Sequence, residues 1–376
     1  MKIVVTGAQG LIGWHALCHL RALNAAAKYK EEPQPFDIRI VDHALFSDKK
    51  QLANALNGAE AVLHFAGVNR APDDEIEAAN VNIAQTLVDT CNQVNCKPHI
   101  VYANSTHASN DTPYGRSKRR AGEILGDFTS HYTNLILPHI FGECARPNYN
   151  NVTATLIDQV VADETPTVNP QGQVSLLHAG KAAQAAISAV TMKKYGTVEF
   201  TSNKMSVPQL LSQIQSFHED YKANRFPQFE SEFQVQLFNT YRTALYPSRF
   251  PRALNIHKDD RGYLFEAVKG GAGGQCFLSW TKPGITRGNH FHLNKVERFL
   301  VVSGEAVIRI RRVLHQEVWE FGVNGENPSV VDMPTLHTHS IENIGTAPLL
   351  TLFWTNEIFN PNEPDTYFDP VLEDKS

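Results

Sequence analysis

Tyr114 and Lys118 are the pair of residues whose types and spacing most clearly suggest proton chemistry. Four residues apart, they would lie on one face of a helix. A tyrosine, with a pKa near about 10, is a poor acid or base at neutral pH unless a cation stabilises its phenolate, and Lys118 supplies one. Ser105, nine residues upstream, could hold a substrate hydroxyl or carbonyl. The alternative is a surface tyrosine and lysine on an amphipathic helix.

Residues 6–13 read TGAQGLIG, which places Gly7, Gly10 and Gly13 between an apolar run and a helix-like stretch. Glycine permits a tight turn and a close approach of backbone to a pyrophosphate, whose charge then meets the positive end of the helix. This pattern predicts a dinucleotide site, with a plain strand-to-helix turn as the alternative.

The last quarter of the chain contains four residues whose types suit a metal ion, namely His290, His292, Glu297 and His339. Alternation on a strand would put His290 and His292 on the same face. Three imidazoles and a carboxylate suit Zn, Fe, Mn or Ni, with Zn as the first choice. The alternative is that the histidines only form hydrogen bonds inside a barrel.

Composition narrows the class of protein. The 376 residues exceed the usual length of one domain, so two domains are expected. A net charge of −5 argues against nucleic acid as a partner. No apolar run approaches the roughly 18 residues of a membrane span, and no signal peptide is evident. The five cysteines include no CxxC pair and suggest reduced thiols. We therefore expect a cytoplasmic enzyme that acts on small molecules, with no membrane partner.

Apolar runs and glycine or proline positions predict the elements that carry these residues. Up to about Leu137, short strands alternate with helical stretches, which indicates a Rossmann-like α/β domain with a parallel sheet. From about Asn255, closely spaced strands indicate an all-β cupin, or jelly-roll barrel. The segment 246–251 (YPSRFP) predicts the boundary, giving domains at 1–248 and 249–376.

The glycine pattern together with Ser105, Tyr114 and Lys118 resembles the extended short-chain dehydrogenase/reductases. The resemblance implies catalytic roles for these three residues, with Thr106 as a substitute for Ser105. It also implies that Lys118 binds the cofactor and that a turn at Ala66 lines it. Pro138–Gly142 is similar to the loop on the nicotinamide side in that family, and Asn80 lies in an Asn-Val stretch typical of it. Family dehydratases follow their Ser or Thr with an Asp-Glu pair, but Thr106-His107 stands here. This favours reduction or epimerisation over dehydration.

The residues at the end of the second predicted strand bear on the choice between NAD and NADP. Asp42 could bond to an adenosine ribose, as in NAD sites, or could cap a helix or turn. Arg39 and His43 could instead accept the 2′-phosphate of NADP. The sequence at this point leaves NADPH and NADH open, and the whole-chain resemblance described below favours NADPH.

The histidine segments contain the two cupin motifs, the second with Leu336 in place of a glycine. Residues 260–266 and 287–290 resemble the deoxy-keto-sugar 3,5-epimerase branch of the cupins. In that branch the histidine at 290 is the catalytic base, so ligand and base remain alternative roles for His290. Arg261 and Arg287 could neutralise a diphosphate. If His290 binds metal, Lys282 and His337 are candidates for the base.

Along the whole chain, the sequence resembles a family of bifunctional capsular polysaccharide enzymes. The resemblance rests on the order of the two halves and on the segments KPGITRGNHFH, RPNYNNV and FNPNEPDTYF. The resemblance implies that the cupin epimerises C3 of a UDP-2-acetamido-2,6-dideoxy-4-keto-hexose and that the N-terminal half reduces C4 with NADPH. The product would be a UDP-2-acetamido-2,6-dideoxy-L-talose, and the chains would form a homodimer through the cupin. The main rival is a single-function NAD-dependent sugar-nucleotide epimerase whose cupin only dimerises. A regulatory binding protein and a cupin oxygenase are further alternatives.

Overall fold

The computed structural model describes residues 1–260, 262–265, 267–270 and 273–372. The chain separates into two compact units. The first comprises Met1–Val152 and Pro170–Val207, and the second comprises Thr153–Asn169 and Pro208–Ser376.

The first unit is built on a parallel sheet. Its strands, in chain order, are β1 (Lys2–Thr6), β2 (Asp37–Val41), β3 (Ala61–His64), β4 (His99–Ser105), β5 (Tyr132–Leu137), β6 (His139–Phe141), β7 (Gln173–His178), β8 (Gly196–Glu199) and β9 (Asn203–Ser206). Six of them form the main sheet in the order β2-β1-β3-β4-β5-β8, with every neighbouring pair parallel. The order reverses between β1 and β3, which is where open α/β sheets bind ligands beyond the carboxyl ends of the strands.

Helices follow most of these strands. In the first unit they are α1 (Leu11–Tyr29), α2 (His43–Ser47), α3 (Lys49–Leu56), α4 (Asp73–Gln93), α5 (Pro113–Phe128) and α7 (Ala179–Thr191). Helix α6 (Val152–Val161) belongs, apart from Val152, to the second unit. The start of α5 follows from local sequence, because the Thr112 hydroxyl accepts a hydrogen bond from the Gly115 N–H and Pro113 occupies the first helical turn. Strands β1 and β3 are apolar and almost wholly buried, as expected where helices cover both faces of a sheet.

A second, three-stranded sheet contains β6, β7 and β9. Strand β6 begins two residues after β5 ends and pairs in parallel with β7, with Phe141 opposite His178. Because β5 runs in register with β4, Leu137 lies opposite Ser105. The chain therefore passes directly from the carboxyl edge of the main sheet into β6.

The second unit contains the barrel. Its strands are β10 (Arg225–Phe226), β11 (Arg252–Ala253), β12 (Ile256–Asp259), β13 (Gly262–Phe265), β14 (Lys269–Gly270), β15 (Gln275–Thr281), β16 (Thr286–Phe291), β17 (Glu297–Ser303), β18 (Glu305–Arg312), β19 (Val318–Asn324), β20 (Ser329–Met333), β21 (His337–Asn343), β22 (Leu349–Thr355) and β23 (Tyr367–Phe368). In the described residues, two five-stranded antiparallel sheets run in the orders β11-β20-β17-β22-β15 and β19-β18-β21-β16-β23. Short two-stranded ribbons, β10-β14 and β12-β13, complete the set.

Helices α8 (Val207–Lys222) and α9 (Glu232–Thr243) belong, apart from Val207, to the second unit. The buried Arg242 of α9 donates to the Met333 carbonyl at 2.8 Å, and Tyr221 of α8 bonds to Asp332 on the same barrel strand. These contacts explain why residues 208–248 pack with the barrel. The predicted domain limits, 1–248 and 249–376, remain a prediction.

The predicted fold class is confirmed: an α/β unit with a parallel sheet precedes an all-β unit of antiparallel sheets. Strand β4 ends at Ser105, so the predicted serine is the last residue of the strand. No helix within the described ranges combines the length and the apolar character needed to cross a bilayer.

Candidate functional sites in the two units

The glycine turn after β1 is as close-packed as its sequence predicts. Gly7 has φ of +66°, and a Cβ there would lie 2.5 Å from the Ala66 nitrogen. A Cβ on Gly13 would lie 2.2 Å from the Gly7 carbonyl oxygen. Only glycine fits either position, so the first turn of α1 can approach β1 closely. Gly10 is the N-cap of α1 and has no side chain to bond the helix amides, which leaves them able to bind a phosphate.

The turn after β3 lies beside the glycine turn. The Ala66 N–H donates to the Thr6 hydroxyl at 3.3 Å, and the buried Asn80 amide bonds to both backbone groups of Val68 at 2.9 Å. Asn80 also donates to the Ser117 hydroxyl at 3.0 Å, which connects this turn to α5. The predicted cofactor residue Ala66 is thus held between β1 and α5.

Asp42 lies one residue beyond β2 and caps α2, because its Oδ1 accepts from the Leu45 N–H at 2.8 Å. The structure therefore shows the capping role that the sequence left open, and the ribose-binding role remains a prediction. Of the two residues suggested for a 2′-phosphate, Arg39 pairs with Asp37 at 3.1 Å on the surface and His43 is exposed.

Ser105 and Tyr114 come together at the carboxyl end of β4. Ser105 is buried, its hydroxyl accepts from the His107 N–H at 3.1 Å, and it shares a side-chain hydrogen bond with Tyr114. Burial raises the pKa of Tyr114, and the bond with Ser105 opposes that rise. The phenol is therefore protonated at neutral pH and able to donate a proton. The substitute residue, Thr106, is exposed.

Lys118 lies one turn after Tyr114 on α5 and is almost completely buried. Its ammonium donates to the Ala103 carbonyl at 2.6 Å and lies 4.1 Å from the centre of the Tyr102 ring. Burial lowers the pKa of Lys118 to about 7. The nitrogen is thus anchored by β4, beside Gly67, where an added Cβ would come within 3.9 Å of it.

Two residues near this site were missed in the sequence. Tyr102 supplies the ring under Lys118, and His139 lies at the start of β6 with its Nε2 buried and without a hydrogen-bond partner among the described residues. Burial lowers the pKa of His139, and nearby His107 lowers it further; the His107 ring in turn lies 6.3 Å from Tyr114. An alternating strand pattern could have suggested Tyr102, and the available signal for His139 was its place in Pro138–Gly142, the segment similar to the nicotinamide-side loop.

The four predicted metal ligands converge in the second unit. His290 and His339 face each other on β16 and β21, His292 follows β16, and Glu297 begins β17 on the other sheet. Their candidate ligand atoms lie within 4.8 Å of one another, and all but His290 are fully buried. We call these four residues the barrel cluster.

The proton positions in the barrel cluster follow from its backbone contacts. The Nδ1 of His292 lies 2.5 Å from the Asp365 carbonyl and that of His339 lies 3.4 Å from the His337 carbonyl, so both nitrogens must donate. The Nε2 atoms of His292 and His339 then face the same Glu297 oxygen, at 3.0 and 3.3 Å, and in a neutral ring each carries a lone pair there. His290 has a similar bond to the backbone of Gly288.

When imidazole nitrogens and a carboxylate oxygen all act as acceptors and point at one another, a proton or a cation is needed between them. Burial lowers the pKa of His290 well below its ordinary value, and its histidine neighbours add to the shift. Burial alone would also lower the pKa of His292, but the Glu297 carboxylate outweighs it and raises that pKa. Burial would raise the pKa of Glu297, yet His292 holds it well below the usual range. Three imidazoles with outward N–H bonds around one carboxylate fit a divalent cation.

Asp365 supports the barrel cluster, and the spacing of the cupin motifs did not reveal it. Its carbonyl accepts a hydrogen bond from the Nδ1 of His292, and its carboxylate accepts from the N–H groups of Leu293, Asn294 and Lys295 at 2.8 to 2.9 Å. It lies 73 residues after His292, within the segment FNPNEPDTYF. That segment carried part of the family resemblance and was the available signal.

The residues suggested for base and diphosphate roles are less closely grouped. His337 is buried, its Nδ1 lies 2.8 Å from the Thr335 carbonyl, and its ring stacks on Trp319. Lys282 is exposed, as is Arg287, which donates to the Thr281 hydroxyl at 2.9 Å. Arg261 lies outside the described residues.

Known proteins share this pairing of units. Residues 3–199 match the NAD dependent epimerase/dehydratase family, and residues 257–367 match the polysaccharide biosynthesis C-terminal domain. A Pseudomonas aeruginosa protein named UDP-2-acetamido-2,6-beta-L-arabino-hexul-4-ose reductase is 28% identical over 99% of this chain and all of its own length. The Bacillus subtilis spore coat polysaccharide biosynthesis protein SpsL is 24% identical over 30% of this chain and 82% of its own.

Among solved structures, the capsular polysaccharide assembling protein CapF from Staphylococcus aureus is 31% identical, with a TM-score of 0.58, over 99% of this chain and 100% of that one. Both units are therefore matched in the same order by a single relative. The chain belongs to the NAD dependent epimerase/dehydratase family and, over its whole length, to the group of CapF-type proteins.

Proposed function

We propose that this protein is a bifunctional sugar-nucleotide enzyme, which epimerises C3 of a UDP-2-acetamido-2,6-dideoxy-4-keto-hexose in the barrel and reduces the C4 ketone in the α/β unit. The observation that carries the proposal is the presence, in one chain, of the Ser105–Tyr114 pair with Lys118 and of the barrel cluster. The name of the Pseudomonas relative, a keto-sugar nucleotide reductase, supports the substrate class. The product is a UDP-2-acetamido-2,6-dideoxy-L-talose for capsule or O-antigen synthesis.

The reductive step uses a bound nicotinamide as the source of hydride. The glycine turn and the start of α1 hold the pyrophosphate, and Ser105 holds the ketone oxygen. As hydride reaches C4, Tyr114 gives its phenolic proton to the oxygen, and the product is an alcohol. Lys118, in its ammonium form, stabilises the resulting phenolate. NADPH is the proposed donor and NADH the coenzyme to compare.

In the barrel, a base removes the proton from C3 beside the ketone, and a proton returns to the opposite face. A divalent metal, with zinc as the first choice, would be held by His290, His292, Glu297 and His339 and would supply Lewis acidity toward the developing enolate oxygen. The ligand histidines are kept in the required tautomer by backbone carbonyls, and Glu297 provides the one negative charge. His290, the least buried of the four, remains the alternative base if metal is not bound.

We also propose a homodimer through the barrel. Strand β15 is at the edge of its sheet, and its side chains Phe277, Leu278 and Trp280 are 40%, 51% and 63% exposed. An apolar edge strand of this kind is a surface that a second chain can cover. Leu278→Lys combined with Trp280→Glu should convert a dimer to a monomer, as measured by light scattering. The cytoplasmic location predicted from the sequence remains part of this proposal.

The reaction is tested by incubating the protein with the keto-sugar nucleotide, NADPH and D₂O. Deuterium should appear at C3 and NADPH should be consumed. Tyr114→Phe should abolish reduction and leave exchange at C3, whereas Glu297→Gln should abolish exchange and leave reduction of substrate that is already epimerised. If Glu297→Gln changes only the oligomeric state, the cupin serves in dimerisation and the single-function alternative holds.

A further inference from the structure

A second set of histidines and a carboxylate is buried in the first unit, outside the sites described above. His15 is on α1, Glu143 lies two residues after β6, and His178 ends β7. Their residues are 0%, 1% and 6% exposed. We call them the anchor cluster. They join the helix that follows the glycine turn to the three-stranded sheet.

Hydrogen bonds fix the tautomers of the anchor cluster. The Nδ1 of His178 accepts from the Gly180 N–H at 3.3 Å, so its proton is on Nε2, which lies 2.8 Å from the Glu143 carboxylate. The Nε2 of His15 lies 3.2 Å from the Glu143 carbonyl and must also donate. Burial lowers the pKa of His15 to about 3, so that ring is neutral. Both Nε2 atoms therefore carry protons toward Glu143, and the cluster acts by hydrogen bonding.

The cluster is also tightly packed. A Cβ on Gly142 would lie 3.1 Å from the Nε2 of His15 and 3.2 Å from the Cβ of Ala179. The ring of His178 makes edge contacts with His15 and with Phe141, at centroid distances of 5.4 and 5.3 Å. A displacement of α1 or β7 is thus transmitted to the turn at Gly142 with little room for local adjustment.

The turn at Gly142 directly follows β6, which begins near the proposed reduction site. Only the three residues of β6 separate Pro138 from Gly142, and β6 begins with His139. Two residues before His139, Leu137 lies opposite Ser105 in the sheet. The buried Nε2 of His139 has no hydrogen-bond partner among the described residues, and His107 beside Tyr114 is near enough to lower its pKa. His139 therefore lies close to His107, whose ring is near Tyr114, and two residues beyond the strand position that faces Ser105.

We propose that His15, Glu143 and His178 are positioning residues that hold β6, and with it His139, at a fixed place between the cofactor-binding helix and the Ser105–Tyr114 pair. The inference rests on the proposed reductive function. The cluster itself touches neither cofactor nor substrate. Its effect should therefore appear in the rate of hydride transfer and leave cofactor affinity nearly unchanged.

The test compares three variants of the full-length protein. Glu143→Leu removes the side-chain acceptor of His178 and keeps the volume, while Glu143→Gln keeps an acceptor for His178. Thr133→Val removes buried hydroxyl bonds to His99 (2.8 Å) and to the Lys194 carbonyl (2.6 Å) near the amino end of the six-stranded sheet, away from the anchor cluster. We expect Glu143→Leu to lower kcat about 10-fold to 30-fold, with the Kd of NADPH within about threefold. Glu143→Gln should restore most of the rate, and Thr133→Val should lower the Tm without changing kcat.

The inference is overturned if folded Glu143→Leu keeps the kcat of the natural protein, or if Thr133→Val loses as much. It is also overturned if protein with a disrupted barrel cluster still binds one metal ion that Glu143→Leu releases. If Glu143→Leu does not fold, His15→Leu gives the same comparison, because it removes the donor to the Glu143 carbonyl. The histidine Cε1 NMR signals can be measured without the sugar substrate. Among the three variants, only Glu143→Leu should shift the signal of His139. Absence of turnover in the natural protein would instead count against the proposed function.

Discussion

The barrel cluster and the anchor cluster have nearly the same composition and opposite proton arrangements. In the barrel, backbone carbonyls accept hydrogen bonds from the Nδ1 atoms of His292 and His339, and the Nε2 atoms face Glu297. In the anchor cluster, the Nε2 protons of His15 and His178 face Glu143. The proposed cation site and the proposed positioning cluster thus differ in which ring nitrogen the backbone contacts occupy.

The largest expected effect that separates the clusters is loss of metal from the barrel. Replacing His292 or Glu297 with Ala removes a ligand, so we expect metal affinity to fall more than about 100-fold, since even outer partners contribute about 10-fold to 100-fold. The measurement is metal content by mass spectrometry after dialysis, together with C3 exchange. The matched control, Glu143→Gln, should keep its metal. Equal metal loss in both would show that the comparison is wrong.

A smaller effect should follow removal of the residue that orients His292. Asp365→Ala removes the acceptor of the Leu293, Asn294 and Lys295 amides, and so loosens the carbonyl that receives the His292 proton. We expect metal affinity to fall about 10-fold to 100-fold, measured by competition with a chelator. The nearby exposed Glu363→Ala should leave affinity unchanged. Unaltered affinity in Asp365→Ala would remove the basis for the proposed tautomer.

Acid should destabilise the first unit through its buried neutral histidines. Burial lowers the pKa of His15 to about 3 and that of His19 to about 4, while the unfolded chain titrates near 6.5. Below pH 6.5 the unfolded state binds more protons, so stability falls as the pH falls, by about 1 to 2 kcal/mol for each histidine between pH 7 and pH 5. Denaturant unfolding at both pH values measures this loss. In His19→Gln the pH-dependent loss should be smaller, and an unchanged loss would contradict the assignment.

The smallest of these effects concerns space around the anchor cluster. Gly142→Ala places a methyl group against His15 and Ala179, so we expect a loss of about 1 to 3 kcal/mol in the free energy of unfolding. Gly322→Ala on barrel strand β19 meets no atom within 4 Å and should change stability by less than about 0.5 kcal/mol. Both are measured by chemical denaturation. Similar losses in the free energy of unfolding for the two variants would mean that the turn at Gly142 rearranges readily to admit a methyl group.

Much of the site could be predicted where the signal is local. The glycine turn, the Tyr114–Lys118 spacing and the cupin motifs each lie within a short stretch, and the fold places each on the expected element. Glu143 and His178, which are 35 residues apart, and Asp365 and His292, 73 apart, meet only through the fold. No periodicity connects residues at such separations, so these contacts could not be predicted from the sequence.

By itself, the sequence determined the two-unit α/β and all-β organisation and which residue types stand at each site, because strand and helix periods and glycine turns depend on near neighbours. The tertiary structure alone decided that Lys118 is buried against Tyr102 and which nitrogen of each clustered histidine carries its proton. The physical reason is that burial and hydrogen-bond partners, which set pKa and tautomer, are supplied mainly by segments distant in the chain.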